Sequence, residues 1–376
     1  MTIMISHLFL QHYWWIIVSL LASLLVFLMF VQGGQSLIFS LPKNDLQKIM
    51  IVNALGRKWE FTFTTLVTFG GVFFASFPLF YATSFGGAYW VWIAILFSFI
   101  VQAIAYEFRS KPKNIFGKKT FDIFLFLNGS LGPFLIGTAV ATFFTGSQFS
   151  LNGMNQVHWT TQWYGLEALL NVRNLALGFA VLFLARINGL LYLINTIDDK
   201  ALIKRSEKKL ILNSIPFLLF FLFFIVSLLM STGFAADTAN GTVTMEQFKY
   251  LHNFVQMPIV LIIFLTGVVG VLYGIGISVL RNSVKGIWFT GAGTILAVFS
   301  LFLIAGFNGT SFYPSSYDLQ SSLTIRNASS SLFTLKTMMY VSFIIPFVIA
   351  YIWYAWKAIN NTKITEDEMK SDSHVY

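Results

Sequence analysis

Long apolar runs alternate with short basic or longer polar stretches along this chain. A helix needs roughly 20 mostly apolar residues to cross the hydrocarbon of a bilayer. Nine runs meet that length, at residues 13–38, 61–82, 88–107, 121–145, 172–195, 211–232, 256–280, 287–307 and 334–356. In lipid each segment must satisfy its own backbone polar groups, so each run is expected as a helix. The pattern predicts an all-α, polytopic membrane helix bundle of about nine transmembrane helices. Residues 1–360 are expected as one integral membrane domain, built as two four-helix bundles plus a peripheral helix, and 361–376 as a short solvated tail. No internal repeat and no separate soluble domain is visible.

Basic residues give the pattern a direction. Lys43, Lys48, Arg57 and Lys58 lie between the first two runs, and Arg109, Lys111, Lys113, Lys118 and Lys119 between the third and fourth. Lys200, Lys204, Arg205, Lys208 and Lys209 follow the fifth, with Arg186 counted on the same side. Arg281, Lys285, Lys357, Lys363 and Lys370 complete that side; the other holds only Arg173, Lys249, Arg326 and Lys336. The alternation supports nine spans, with the N-terminus outside and the C-terminus in the cytoplasm. No Lys or Arg precedes Lys43, which argues against a cleavable signal peptide, so the first run is expected to stay as a span.

Composition agrees. The chain is 56% hydrophobic and 10% charged, where a soluble protein is about a quarter charged. A net charge of +9 would suggest nucleic acid in a soluble protein; here the cations read as orientation signals and no nucleic-acid partner is expected. Cysteine is absent, which excludes disulfides, thiolate iron–sulfur ligation and thiol catalysis. Haem ligation most often needs His, and His7, His12, His158, His252 and His374 all fall outside the predicted spans. Met230, Met257, Met338 and Met339 lie in or near spans and read as packing residues. No haem or other metal is therefore expected on this chain. Gly70, Gly71, Gly86, Gly87, Gly267, Gly270, Gly274 and Gly276 read as close helix contacts rather than a phosphate-binding loop.

The chemistry-bearing residues are the polar groups near the membrane plane: Gln32, Gln35, Glu60, Gln102, Glu107, Asp122 and Arg186. Such groups are costly in lipid and invite a functional reading. The stretch Lys58–Gly71 concentrates the signal. It puts Trp59 and the Glu60 carboxylate at the mouth of a helix that carries a stripe of Thr62, Thr65 and Thr68, expected to turn inward. With Gln32 and Gln35 these residues would meet the needs of a proton path. The plainer readings are that Glu60 favours the positive end of its helix, that Glu107 pairs with Arg109, and that Arg186 snorkels.

Four ordered stretches resemble a known family. They are Tyr13-Trp14-Trp15; Asn44-Asp45 through Ile49-Met50-Ile51 and Trp59-Glu60 to Gly70-Gly71-Val72-Phe73-Phe74-Ala75-Ser76-Phe77-Pro78; Tyr106-Glu107-Phe108-Arg109-Ser110-Lys111; and Tyr313-Pro314-Ser315-Ser316 with Ser322–Ile325 and Asn327–Leu335. The first two are weak alone and the last two are specific. Together they resemble subunit II of cytochrome bd-type quinol oxidases across nearly the whole chain.

The resemblance implies a haem-free large subunit in a bacterial cytoplasmic membrane. Its partner would be a haem-bearing subunit I, with two b-type haems and one d-type haem, where quinol is oxidised and oxygen reduced to water. It leaves room for small single-helix accessory subunits and for a structural quinone or lipid. By position, Glu60 would take the place of an acidic proton-path residue and Glu107 that of a second acidic site, with Trp59 beside the first. The chain departs from the family where an Asp-Gly-x-Asp-x-Gly run is replaced by Val31-Gln32-Gly33-Gly34-Gln35, because amides do not exchange protons as carboxylates do. Phe61 and Thr62 also replace a Gly-Asn pair and make the mouth greasier. Two rivals stand beside this reading: a scaffold without a proton role, and a secondary transporter, which would be expected to show broken helices or related halves.

Overall fold

The computed structural model describes residues 6–111, 114–359, 363–365 and 369. Lys113, Lys370 and His374, and most of the tail expected over 361–376, lie outside the described residues. The first span is α1 (His7–Leu28), continued after a break at Met29 by α2 (Phe30–Gln35). Ser6 caps α1 by accepting a hydrogen bond from the Phe9 amide at 3.2 Å. The helix thus starts ahead of the expected residue 13, and His7 and His12 ride on it rather than lying outside it. The His7 ring hydrogen-bonds the Ser330 carbonyl and the His12 ring packs edge-on to Phe307.

The second predicted run is not one straight helix. After α3 (Asp45–Gly56) and α4 (Trp59–Ser76) the chain bends by 118° into α5 (Pro78–Phe80) and a π-helical turn over Tyr81–Gly86. Pro78 lacks the amide hydrogen that would continue the ladder and drives Phe77 out of helical geometry, to φ −132° and ψ 64°. The long helices α6 (Tyr89–Phe108) and α7 (Gly117–Thr145) follow. Then come α8 (Val172–Thr196), α9 (Lys200–Leu229), the short α10 (Lys249–Gln256), α11 (Pro258–Arg281) and α12 (Gly286–Gly306). The last pair, α13 (Leu332–Ser342) and α14 (Ile345–Ile359), is bent by 40°. Among the described residues seven helices are long and apolar enough to cross a membrane, or nine if each bent pair is one span. The protein is a multi-pass, mostly helical membrane bundle.

α1 packs on α4 and α12, α2 on α7 and α8, α6 on α7, and α11 on α12. The α11–α12 contact is close because of its glycines: a Cβ on Gly267 would sit 2.5 Å from the Ala297 amide, and one on Gly293 2.5 Å from that of Val271. Gly71 and Gly276 face open space, so the expected close contact does not reach them.

The two ends of the bundle differ. At one end the connection before α9 meets the chain's tail, where Ile364 bridges Ile197, and Asn53 on α3 donates to Met369 Sδ. At the other end the polar loops form two antiparallel hairpins, β1 (Phe149–Leu151) with β2 (Val157–Trp159), and β3 (Thr232–Ala236) with β4 (Val243–Gln247). Trp159, although it lies in a polar loop, is not at the surface. It is buried and its indole N–H donates to the Thr83 carbonyl at 3.2 Å. The Tyr313-Pro314-Ser315-Ser316 stretch plugs this end: Ser147 donates to the Pro314 carbonyl, Ser316 donates to that of Ser147, and Ser315 donates through its hydroxyl to Phe149.

Candidate functional site

A buried polar column runs between α2, α6 and α7. On α6 it uses Ser98, Gln102, Tyr106 and Arg109, whose spacing of three or four places them on one helix face. All four are buried. The column extends about 16 Å along that face at the α-helical rise.

Each rung has a partner on a neighbouring helix. At the foot, Arg109 Nε donates to Asp122 Oδ1 at 2.7 Å and Lys48 Nζ donates to Asp122 Oδ2 at 3.1 Å. Next, Gln35 Nε2 donates to the Tyr106 hydroxyl at 2.7 Å. Above it, Gln32 Nε2 donates to Gln102 Oε1 at 3.3 Å. At the top, Asn128 Nδ2 donates to Ser98 Oγ at 3.3 Å. Gly129 permits this approach, because a Cβ there would lie 2.5 Å from the Gln32 carbonyl and the Ser36 amide.

The column is only half satisfied by protein. Gln32 Oε1, Gln35 Oε1, Gln102 Nε2 and Asn128 Oδ1 are buried without a protein partner. An unmet buried polar atom costs about 1–3 kcal/mol. Four in one column leave unmet hydrogen-bonding capacity along one interior line.

The other sequence-predicted residues fall differently. Trp59 is half-buried and stacks on Tyr106, ring centres 5.9 Å apart, so it touches the column from α4. Glu60, next to it, is exposed on the surface of this chain. Thr62 is buried but donates to the Leu28 carbonyl at 2.9 Å. Thr65 and Thr68 return their hydroxyls to the Phe61 and Thr64 carbonyls of their own helix, at 2.7 and 2.8 Å. The threonine stripe thus does not line an interior route as expected. Leu66, Phe69 and Phe73 take the inward face of α4, and back-bonding removes most of the cost of leaving hydroxyls outside. Glu107 is exposed and pairs with Lys111 at 3.2 Å, not with Arg109, which belongs to Asp122. Arg186 Nε donates to Ser36 Oγ at 2.9 Å.

The structure therefore joins Gln32 and Gln35 to Ser98, Tyr106 and Asn128, which sequence reasoning missed, and to Gln102 and Asp122. The available signal was the four-residue spacing of Ser98, Gln102 and Tyr106 within one apolar run. Lys58, counted among the orientation cations, is in fact buried, with Nζ 4.3 Å from the centre of the Trp356 ring. Among the described residues no group of three or more His, Cys, Asp or Glu could hold a metal ion. The broken helix at Pro78, which a transporter would use to hold substrate, is filled by the buried rings of Phe77 and Phe80.

Comparisons with known proteins place this geometry in a family. The family model for cytochrome bd terminal oxidase subunit II matches residues 10–359. The chain is 26% identical to the cytochrome bd-I ubiquinol oxidase subunit 2 of Escherichia coli K12 over 99% of both chains. It is 27% identical to the cytochrome bd ubiquinol oxidase subunit 2 of Bacillus subtilis over 90% of this chain and 93% of that one. Its fold is similar to a chain of the bd oxidase from Geobacillus thermodenitrificans, with a TM-score of 0.61 and 13% identity over 92% of this chain and 98% of that chain. The extended resemblance of motifs, the helical membrane bundle and the family match agree: this chain belongs to the cytochrome bd terminal oxidase subunit II family.

Proposed function

We propose that this chain is the haem-free large subunit of a quinol:oxygen oxidoreductase in a bacterial cytoplasmic membrane. It supports a haem-bearing subunit I and feeds that subunit protons through the amide column. Quinol and oxygen react on the partner, whose haems supply the redox chemistry. In this reading the N-terminus is outside, the C-terminus is cytoplasmic, and the eight spans through α12 form two groups of four with the α13–α14 pair at the periphery.

The observation that carries the proton role is the column with its four unpartnered amide atoms. Amides do not relay protons themselves, but they can hold a file of water that does. Asp122 would set the potential at the mouth, held by Arg109 and Lys48. The file would stop where Ile95, Phe99 and Leu135 close the interior, so protons leave sideways toward the partner. Glu60 and Trp59 lie on the flank of this route, and Glu60 is a second mouth if subunit I covers it.

Gln102→Leu, with Gln32→Leu as its companion, tests this in the assembled oxidase. The expected result is a fall in quinol oxidase turnover of about tenfold or more, in line with lost proton delivery, while the reduced-minus-oxidised haem bands are retained. Unchanged turnover would favour a scaffold, a reading supported by the way Gln32–Gln102 and Gln35–Tyr106 clamp α2 to α6. Glu60→Gln in the same assay reports whether the flank matters.

A further inference from the structure

A groove of about 560 Å³ opens on the flank of the bundle between the 36–40 connection, α7, α8 and α9. Two cations line it, Arg186 from α8 and Lys209 from α9. Both are half-buried. Arg186 lies about 15 Å along α8 from its Thr196 end, at the α-helical rise, which is well inside a span. Its Nε is fixed by Ser36 Oγ at 2.9 Å, and its guanidinium carbon lies 5.5 Å from the centre of the Phe183 ring.

Neither cation has a carboxylate partner among the described residues. Two acids at this end of the bundle are committed elsewhere. Asp122 serves Arg109 and Lys48, and Asp199 accepts from Gln47 and from the Leu202 amide. The neighbouring Arg205 is also committed, donating to the Leu41 carbonyl and to Gln47. Two unpaired cations in one low-dielectric groove are costly and call for an anion. The walls toward lipid are apolar and exposed: Leu212 at 65%, Ile215 at 63% and, one turn on, Leu219 at 61%.

An anionic head over long apolar tails meets both demands. We propose that this groove binds an anionic glycerophospholipid, with the phosphodiester between Arg186 and Lys209 and the acyl chains along Leu212, Ile215 and Leu219. The cations hold the headgroup below the surface, and the lipid staples the 36–40 connection to α9. Ser36 follows directly on Gln35, so the same lipid would steady the base of the amide column.

The test uses the whole oxidase complex, stripped of lipid in detergent and re-supplied with dioleoyl-phosphatidylglycerol, dioleoyl-phosphatidylcholine or inorganic phosphate. Lipid retention is read by native mass spectrometry, and a photoreactive phosphatidylglycerol maps the site. Lys209→Gln is the main variant, because it leaves the Arg186–Ser36 bond in place. The expected result is crosslinking to α9 in the wild type, displaced by phosphatidylglycerol and not by phosphatidylcholine. Retention should weaken about tenfold in Lys209→Gln, the scale of one lost charge-assisted contact, and return in Lys209→Arg. Equal displacement by the two lipids, crosslinking that avoids α9, or displacement by inorganic phosphate alone would each overturn the proposal. The wild-type arms stand whether or not Lys209→Gln assembles, and none of these readouts is turnover, so the proton-path reading can fail independently.

Discussion

The hairpin end and the tail end of this bundle meet the same membrane and solve its interior differently. Near the hairpins the core is aromatic, and its buried Trp, Tyr and Asn side chains donate to protein acceptors. Trp15 is fully buried, lies 4.6 Å from the Phe312 ring centre and donates to the Phe302 carbonyl at 3.1 Å. Tyr250 donates to the Phe144 carbonyl at 3.2 Å, and Asn253 donates to Ile304 and Thr310 at 2.8 Å. Toward the tail end amides join the rings, and half of the column amides' capacity is unmet. The contrast teaches that one half spends its interior on aromatic packing while the other keeps unmet amide groups, which on the reading proposed above would hold water. A route that enters at the tail end has to turn before it reaches the aromatic seal.

Breaking the seal should have the largest effect on stability. Phe312→Ala is expected to cost about 3–5 kcal/mol through a buried cavity, read as lower thermal stability of the purified complex with no change in pH dependence. A similar loss of about 3–5 kcal/mol is expected for Asp122→Leu, which strands Arg109 and Lys48 beside a buried site without their counter-charge. Asp122→Leu together with Arg109→Leu should recover part of that loss; no recovery would show that the pair is not what holds the foot of the column.

Gln102→Leu sharpens the comparison, because stability and function should part. Removing a half-satisfied amide is close to neutral for folding, within about 1 kcal/mol, while turnover is expected to fall. A variant that loses both would make the column an ordinary structural clamp. Glu107→Gln should be the quietest membrane-edge change, below about 0.5 kcal/mol with normal turnover, since its pair with Lys111 is exposed.

The smallest effect belongs to the β3–β4 hairpin. The hydrogen bond to His252 holds the Glu246 carboxyl below its usual range against the opposing effect of burial, with Lys249 adding to the lowering. A carboxyl depressed in the folded state contributes stability that is present above about pH 4.5, its ordinary value. That stability is lost as the pH falls through the lowered folded value. His252→Ala should flatten this acid dependence by well under 1 kcal/mol, measured as the pH at which amide protons of the hairpin begin to exchange.

Much of this protein was determined by sequence alone. Span-length apolar runs cannot satisfy their backbones in lipid except as helices, so the bundle and its approximate nine spans were legible in composition and length. The family was legible too, because its motifs are short and ordered. The sequence did not show which face of each helix is inside. Glu60 and the threonines promised an inward polar face, yet Leu66, Phe69 and Phe73 won it, since back-bonded hydroxyls lose little by facing out. The bend at Phe77–Pro78 has a local cause in Pro78 that the run-length reading passed over, whereas the burial of Trp159 was decided by packing. The column itself is a tertiary object. Gln32, Gln102 and Asn128 are far apart in the chain; Gln32 meets Gln102 and Asn128 meets Ser98 only through the packing of α2, α6 and α7, where Gly129 lets α7 lie against the α2 backbone.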